Sequence, residues 1–76
     1  MTAEAVRRVA YREPFAPFSV LLKSGERIDV RRSLRCTVAE DRIVLGVDED
    51  PDRGVARRMR MIPLDAVVGV EEVSTA

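Results

Sequence analysis

Apolar and polar residues alternate along most of the chain after Pro14, and this alternation constrains the fold more than any other feature. The pattern runs through residues 17–23 and resumes in 26–31, on the far side of Gly25. Successive side chains of a β-strand point to opposite faces, so a period of two residues predicts half-buried strands. The sequence therefore predicts a mainly β protein whose first hairpin turn uses Gly25 for a positive φ.

The rest of the chain extends this prediction. Residues 3–12 place apolar side chains at helical spacing, and Pro14 predicts that the helix ends there. A second strand is expected to continue, after a bend or bulge, through Cys36 and Val38. Further strands are predicted at 42–47, 55–62 and 67–73, with a loop at 48–54 and a helical turn near 64–67.

A helix followed by five strands without crossover helices predicts an antiparallel sheet curled into a small barrel with a strongly bent second strand. We expect a single domain over residues 1–76, with the barrel at about 17–73. The predicted inward-facing residues are Phe18, Val20, Leu22, Ile28, Val30, Ile43, Leu45, Met61, Leu64, Val68 and Val70.

Composition narrows the function classes. The 76 residues include 13 Lys+Arg and 13 Asp+Glu, one cysteine and no histidine. A single cysteine forms no internal disulfide, and without histidine neither structural zinc nor histidine-based catalysis is expected. We therefore predict a protein that is not an enzyme and that uses no cofactor and no metal.

No segment has the length and hydrophobicity of a membrane span or the apolar core of a signal peptide. We expect a cytoplasmic protein without membrane contact. A chain of this length buries only about 60–65% of the surface that its unfolded form exposes. Burial against a second copy would compensate, so we expect a homo-oligomer with an interface that includes Met59, Met61, Val68 and Val70.

Residues 14–25 carry the pattern PFxPFxVxLxxG, and 62–70 carry IPLxxVxxV. The chain resembles a group of short uncharacterised bacterial proteins with this first pattern. The layout of a helix and five strands, with VxLxxG opening the first hairpin, is also similar to the Sm-like barrels, which include bacterial RNA chaperones. That resemblance implies a ring in which strands 55–62 and 67–73 of neighbouring subunits pair.

The resemblance to Sm-like proteins also implies RNA sites at two turns. Asp41 would occupy the first of them, whereas Pro63, Leu64 and Asp65 fill the second without a basic residue. Two arginine clusters offer another route to nucleic acid, either as a phosphate-binding patch or as a salt-bridged surface. These candidate residues are Arg31, Arg32, Arg35, Arg57, Arg58 and Arg60.

Two other patterns have simple structural interpretations. The segment from Asp48 to Gly54 reads DxDxDxG, but its sixth position is Arg53 and its twelfth is Met59, so we expect a solvated hairpin loop rather than a calcium site. Cys36 is expected to be a small buried packing residue rather than a reactive thiol. The leading functional hypothesis is a self-associating, Sm-like interaction module of unknown protein partner, and the alternative is an RNA-binding ring.

Overall fold

The computed structural model describes residues 1–73, which form one α-helix, six strands and two short 3-10 helices. The helix is α1 (Ala3–Ala10), and the 3-10 helices span Ser33–Arg35 and Leu64–Ala66. The strands are β1 (Phe18–Leu22), β2 (Arg27–Val30), β3 (Cys36–Val38), β4 (Arg42–Asp50), β5 (Val55–Pro63) and β6 (Val67–Glu72). The mainly β prediction is confirmed.

The six strands form two antiparallel three-stranded sheets, so the prediction of a five-stranded, Sm-like closed barrel is wrong. Sheet A has the order β2-β1-β6, and sheet B has the order β3-β4-β5. The predicted bent strand is interrupted by the 3-10 helix at Ser33–Arg35, so that β2 pairs only with β1 and β3 pairs only with β4. Among the described residues, β5 and β6 do not pair with each other and are sheet edges.

Helix α1 packs across both sheets, against β3 of one and β6 of the other. Thr2 begins the helix, and its Oγ1 accepts a hydrogen bond of 3.2 Å from the amide of Ala5. The helix ends at Ala10, two residues earlier than predicted. Tyr11 follows it, and its hydroxyl accepts a 2.9 Å hydrogen bond from the Val38 amide on the free edge of β3.

The core lies between the two sheets and under the helix. Seven of the predicted inward-facing residues are buried there, and Ile28 and Val70 are partly buried against it. Met61 and Val68 are exposed to 68% and 63%, so their predicted inward orientation is wrong. The buried residues are Val6, Ala10, Phe18, Val20, Leu22, Val30, Cys36, Val38, Ile43, Leu45, Ile62, Leu64 and Val67.

The two errors have separate physical causes. In β6 the register against β1 shifts, because Leu21 pairs with Gly69 whereas Leu22 pairs with Val67. Val68 is the extra residue of this bulge, and Val67 is buried in its place. In β5 the buried residue is Ile62, so alternation places Met61 on the opposite face of the sheet.

Candidate functional site

A cavity of about 210 Å³ opens where the chain passes from sheet A to sheet B. It is lined by Asp29 at the end of β2, by Arg31, Arg32 and Arg35 around the first 3-10 helix, and by residues 46–49 of β4. We call it the bend cavity. The structure therefore brings the first predicted arginine cluster together, and places three carboxylates around it.

Arg31 and Arg32 form an exposed rim of the bend cavity. The Arg32 guanidinium lies 3.0 Å from the Glu49 carboxylate, and the Arg31 guanidinium lies 3.6 Å from that of Asp29. Asp29 is itself fixed by the buried Ser19, whose hydroxyl donates a 2.6 Å hydrogen bond to it. The two rim arginines are thus held by exposed ion pairs, which are typically worth about 0–1 kcal/mol each.

Arg35 differs from the rim arginines because only 16% of its side chain is exposed. Its Nη2 donates to the Glu49 carboxylate at 3.0 Å and to the Gly54 carbonyl at 2.9 Å. Its Nε is buried and has no hydrogen-bond partner among the described residues. Gly46 makes room for this side chain, since a Cβ there would lie 3.0 Å from the Arg35 Cδ and 2.9 Å from the Ala56 Cβ.

The second predicted arginine cluster lies along β5, and each member faces a carboxylate. The guanidinium of Arg57 lies 3.5 Å from Asp50, and that of Arg58 lies 2.6 Å from Asp48. Arg60 makes two hydrogen bonds, of 2.6 and 3.1 Å, to Glu26 in the β1–β2 turn. Arg58 adjoins the bend cavity through Asp48, whereas Arg57 and Arg60 do not line it.

The Arg60–Glu26 contact joins the two sheets, since one partner lies in sheet B and the other in a turn of sheet A. Hydrogen bonding to the guanidinium lowers the pKa of Glu26 below its ordinary value and raises that of Arg60. Asp41 is paired in the same way with Arg42, which lowers the pKa of the carboxyl. Both of these carboxylates are therefore engaged by neighbouring guanidinium groups.

The predicted interface residues fall into two groups. Met59, Met61 and Val68 are 62%, 68% and 63% exposed, whereas Val70 is partly buried against the core. The two methionines lie on the face of sheet B that points away from the core, and Val68 is on the edge strand of sheet A. Within one chain, the two methionines and Val68 therefore lie on different sheets.

The DxDxDxG segment forms the end of the β4–β5 hairpin. Asp50 accepts hydrogen bonds from the amides of Asp52 and Arg53, at 3.0 and 3.3 Å, and so organises the turn. Asp48 has a left-handed backbone, with φ of 55°, and pairs with Arg58. Residues 1–73 contain no group of three or more acidic or cysteine side chains arranged to hold a metal ion.

Cys36 lies in the core, as expected of a packing residue, and burial raises the pKa of its thiol to about 11. The thiol therefore remains protonated near neutral pH, whereas a nucleophilic cysteine acts as the thiolate.

Sequence reasoning missed Glu49 and Gly46, which complete the bend cavity. Glu49 and Asp29 belong to different strands, so only the fold reveals that they flank the same arginines. Gly46 did give a signal, because an isolated glycine inside an apolar strand indicates a close approach by another group.

Comparisons with protein-family models, with curated proteins and with solved structures give no match. Within residues 1–73, no helix has the length and apolar character that crossing a membrane requires.

Proposed function

We propose that the protein is a self-associating interaction module without catalytic activity, in which β5 of one copy pairs with β6 of the next. The observation that carries this proposal is the difference between the sheet edges. β5 and β6 are the longest edge strands of the described fold, and they carry the exposed side chains of Met59, Met61 and Val68. An exposed edge with apolar side chains is a template for pairing with another chain.

The other two edges are poorly suited to pairing. β2 has four residues, of which Arg27 and Asp29 are exposed and charged. β3 has three residues, and its Val38 amide already donates to the Tyr11 hydroxyl. Short, charged or covered edges are the usual means by which proteins prevent edge-to-edge association. β5 also carries charge, in its three arginines, but it has nine residues and keeps one register against β4 along its whole length.

Charge favours pairing of β5 with β6 over pairing of β5 with itself. β5 carries Arg57, Arg58 and Arg60 and no acidic residue, whereas β6 carries Glu71 and Glu72 and no basic residue. Like charges placed opposite each other across a strand pair are destabilising. The existing ion pairs of Arg58, Glu71 and Glu72 are largely exposed, so they can be exchanged at little cost.

The same ion pairs make nucleic acid the weaker candidate for the arginines on β5. All three have a carboxylate within 4.0 Å, and formal net charge is zero. The fold also offers no exposed stacking platform beside them, because the only aromatic residues are Tyr11, Phe15 and Phe18, which lie outside β5. Binding of single-stranded RNA usually combines basic groups with such stacking.

Two edge variants test the proposal. M59D/M61D places charge on the β5 surface, and V68D places charge on the β6 edge; we expect each to reduce the light-scattering mass to that of one chain. Each variant retains one intact edge. An equal mixture of the two should therefore form a two-chain particle that neither forms alone.

Leu34→Asp is the matched control, because Leu34 is 88% exposed but lies in the first 3-10 helix, away from both edges. It should leave the mass of the wild-type assembly unchanged. A V68D protein that still forms dimers by itself would contradict β5–β6 pairing and indicate a symmetric β5–β5 contact. Equal loss of assembly in L34D would contradict the assignment of the edges.

A further inference from the structure

The bend cavity has more guanidinium groups than carboxylates once its immediate ion pairs are included. Arg31, Arg32 and Arg35 face Asp29 and Glu49, while the third lining carboxylate, Asp48, is occupied by Arg58 at 2.6 Å. Glu49 Oε1 accepts a hydrogen bond from Arg35 and lies 3.0 Å from a guanidinium nitrogen of Arg32. One carboxylate oxygen is thus shared by two guanidinium groups, so some guanidinium N–H donors have no carboxylate acceptor.

Arg35 is the largely buried basic residue of the cavity lining. Arginine is rarely buried, yet this side chain is largely covered and is held by the Gly54 carbonyl and the Glu49 carboxylate. Both of those bonds use Nη2, and Nη1 has no hydrogen-bond partner among residues 1–73. Strand β4 also has a glycine at position 46, where the Cβ of any other residue would lie 3.0 Å from the Arg35 Cδ. These features describe a preorganised donor rather than an incidental surface arginine.

We propose that the bend cavity binds a small ligand that carries a phosphate group. Planar guanidinium groups recognise phosphate oxygens through paired, charge-assisted hydrogen bonds. Arg31 and Arg32 would turn from their exposed carboxylate partners to the ligand, while Arg35 keeps Glu49. A volume of about 210 Å³ accommodates a phosphate and a small substituent, and is below the range of about 300–1,000 Å³ typical of larger ligands.

A small ligand fits the cavity better than a nucleic-acid strand does. No aromatic residue lines the cavity, so an unpaired base would have no ring to stack on. The walls also include the carboxylates of Asp29 and Glu49, which would repel the neighbouring phosphates of a polynucleotide. A single phosphate group brings fewer negative charges to these carboxylates than a strand does, and it can contact the three arginines.

The test is an NMR titration of the full chain with inorganic phosphate at constant ionic strength. Saturable shifts of backbone amides are expected, confined to residues 29–35 and 46–49. Arg31→Gln with Arg32→Gln should weaken phosphate binding about a hundredfold, since each arginine contributes at least one charge-assisted hydrogen bond worth about tenfold. Arg7→Gln with Arg8→Gln, which removes two exposed arginines from α1, should bind as the wild type does.

Arg31→Gln alone provides a second variant if the double variant does not fold, because Arg31 has only the 3.6 Å contact to lose. It should weaken phosphate binding while preserving the amide spectrum. Absence of saturable shifts, or equal weakening in the α1 control, would overturn the proposal. A short single-stranded oligoribonucleotide that displaces phosphate and binds more tightly, with steep salt dependence, would assign the cavity to nucleic acid and also overturn it.

Discussion

Single side chains decide how the β4–β5 hairpin meets the rest of the molecule. Arg35 lies beneath this hairpin and joins Glu49 on one strand to the Gly54 carbonyl at the turn. This arrangement is possible because Gly46 has no Cβ. The sequence predicted Ile43 and Leu45 of β4 as core residues, but no local pattern could identify Arg35 as the group that approaches Gly46.

Replacing Gly46 with alanine tests this close approach. The new Cβ would lie 2.9 Å from the Ala56 Cβ and 3.0 Å from the Arg35 Cδ, so strand and side chain must both move. We expect a loss of about 1–3 kcal/mol in the free energy of unfolding, as for other overpacked positions. Urea unfolding followed by circular dichroism measures this loss.

Gly69→Ala is the matched control, since Gly69 is also in a strand but a Cβ there meets nothing within 4 Å. We expect it to have little effect or to stabilise the protein by up to about 1 kcal/mol, because alanine restricts the unfolded chain. Similar losses for both variants would show that the effect is a general cost of alanine in these strands.

At the level of elements, alternation predicted the strands well but not their pairing. The helix, the first hairpin with Gly25 at a φ of 93°, and the turn at Leu64–Ala66 lie close to their predicted places. The bend at Ser33–Arg35 was also expected. The sequence did not predict that this bend separates β2 of sheet A from β3 of sheet B. Sequence periodicity carries no information on whether a bent strand remains in one sheet or divides between two. The same limitation explains the bulge at Val68, which depends on pairing between distant strands.

The contact between α1 and the edge of β3 yields a second prediction. Tyr11→Phe keeps the ring but removes the hydroxyl that accepts from the Val38 amide at 2.9 Å. We expect faster hydrogen exchange at the Val38 amide and a loss of about 1 kcal/mol in the free energy of unfolding. NMR-detected hydrogen exchange measures the first effect directly.

The Ala39 amide serves as an internal reference in that experiment, because it donates to the Arg42 carbonyl at 2.9 Å and does not contact Tyr11. Its local protection should change less than that of Val38. Equal acceleration at both amides would indicate general destabilisation, and unchanged exchange at Val38 would contradict the proposed role of the hydroxyl in covering the edge.

At the scale of the whole molecule, the two small sheets and the helix of residues 1–73 share a buried cluster, and within that part of the chain β5 and β6 each have one unpaired edge. Limited burial in a chain of this length favours self-association. The structure adds the geometry on which the proposal depends, because it places Met59 and Met61 outside the core and gives β6 no second strand partner among residues 1–73. The bend cavity, by contrast, could not be predicted from the sequence, because the residues that line it come from both sheets.

The most direct test is the light-scattering mass of the wild-type chain on a sizing column at micromolar concentration. We predict a discrete species whose mass is a multiple of 8.5 kDa. Absorbance at 260 nm should be low across the same peak, which distinguishes a protein assembly from one that carries nucleic acid. A monodisperse species of 8.5 kDa would contradict self-association through β5 and β6.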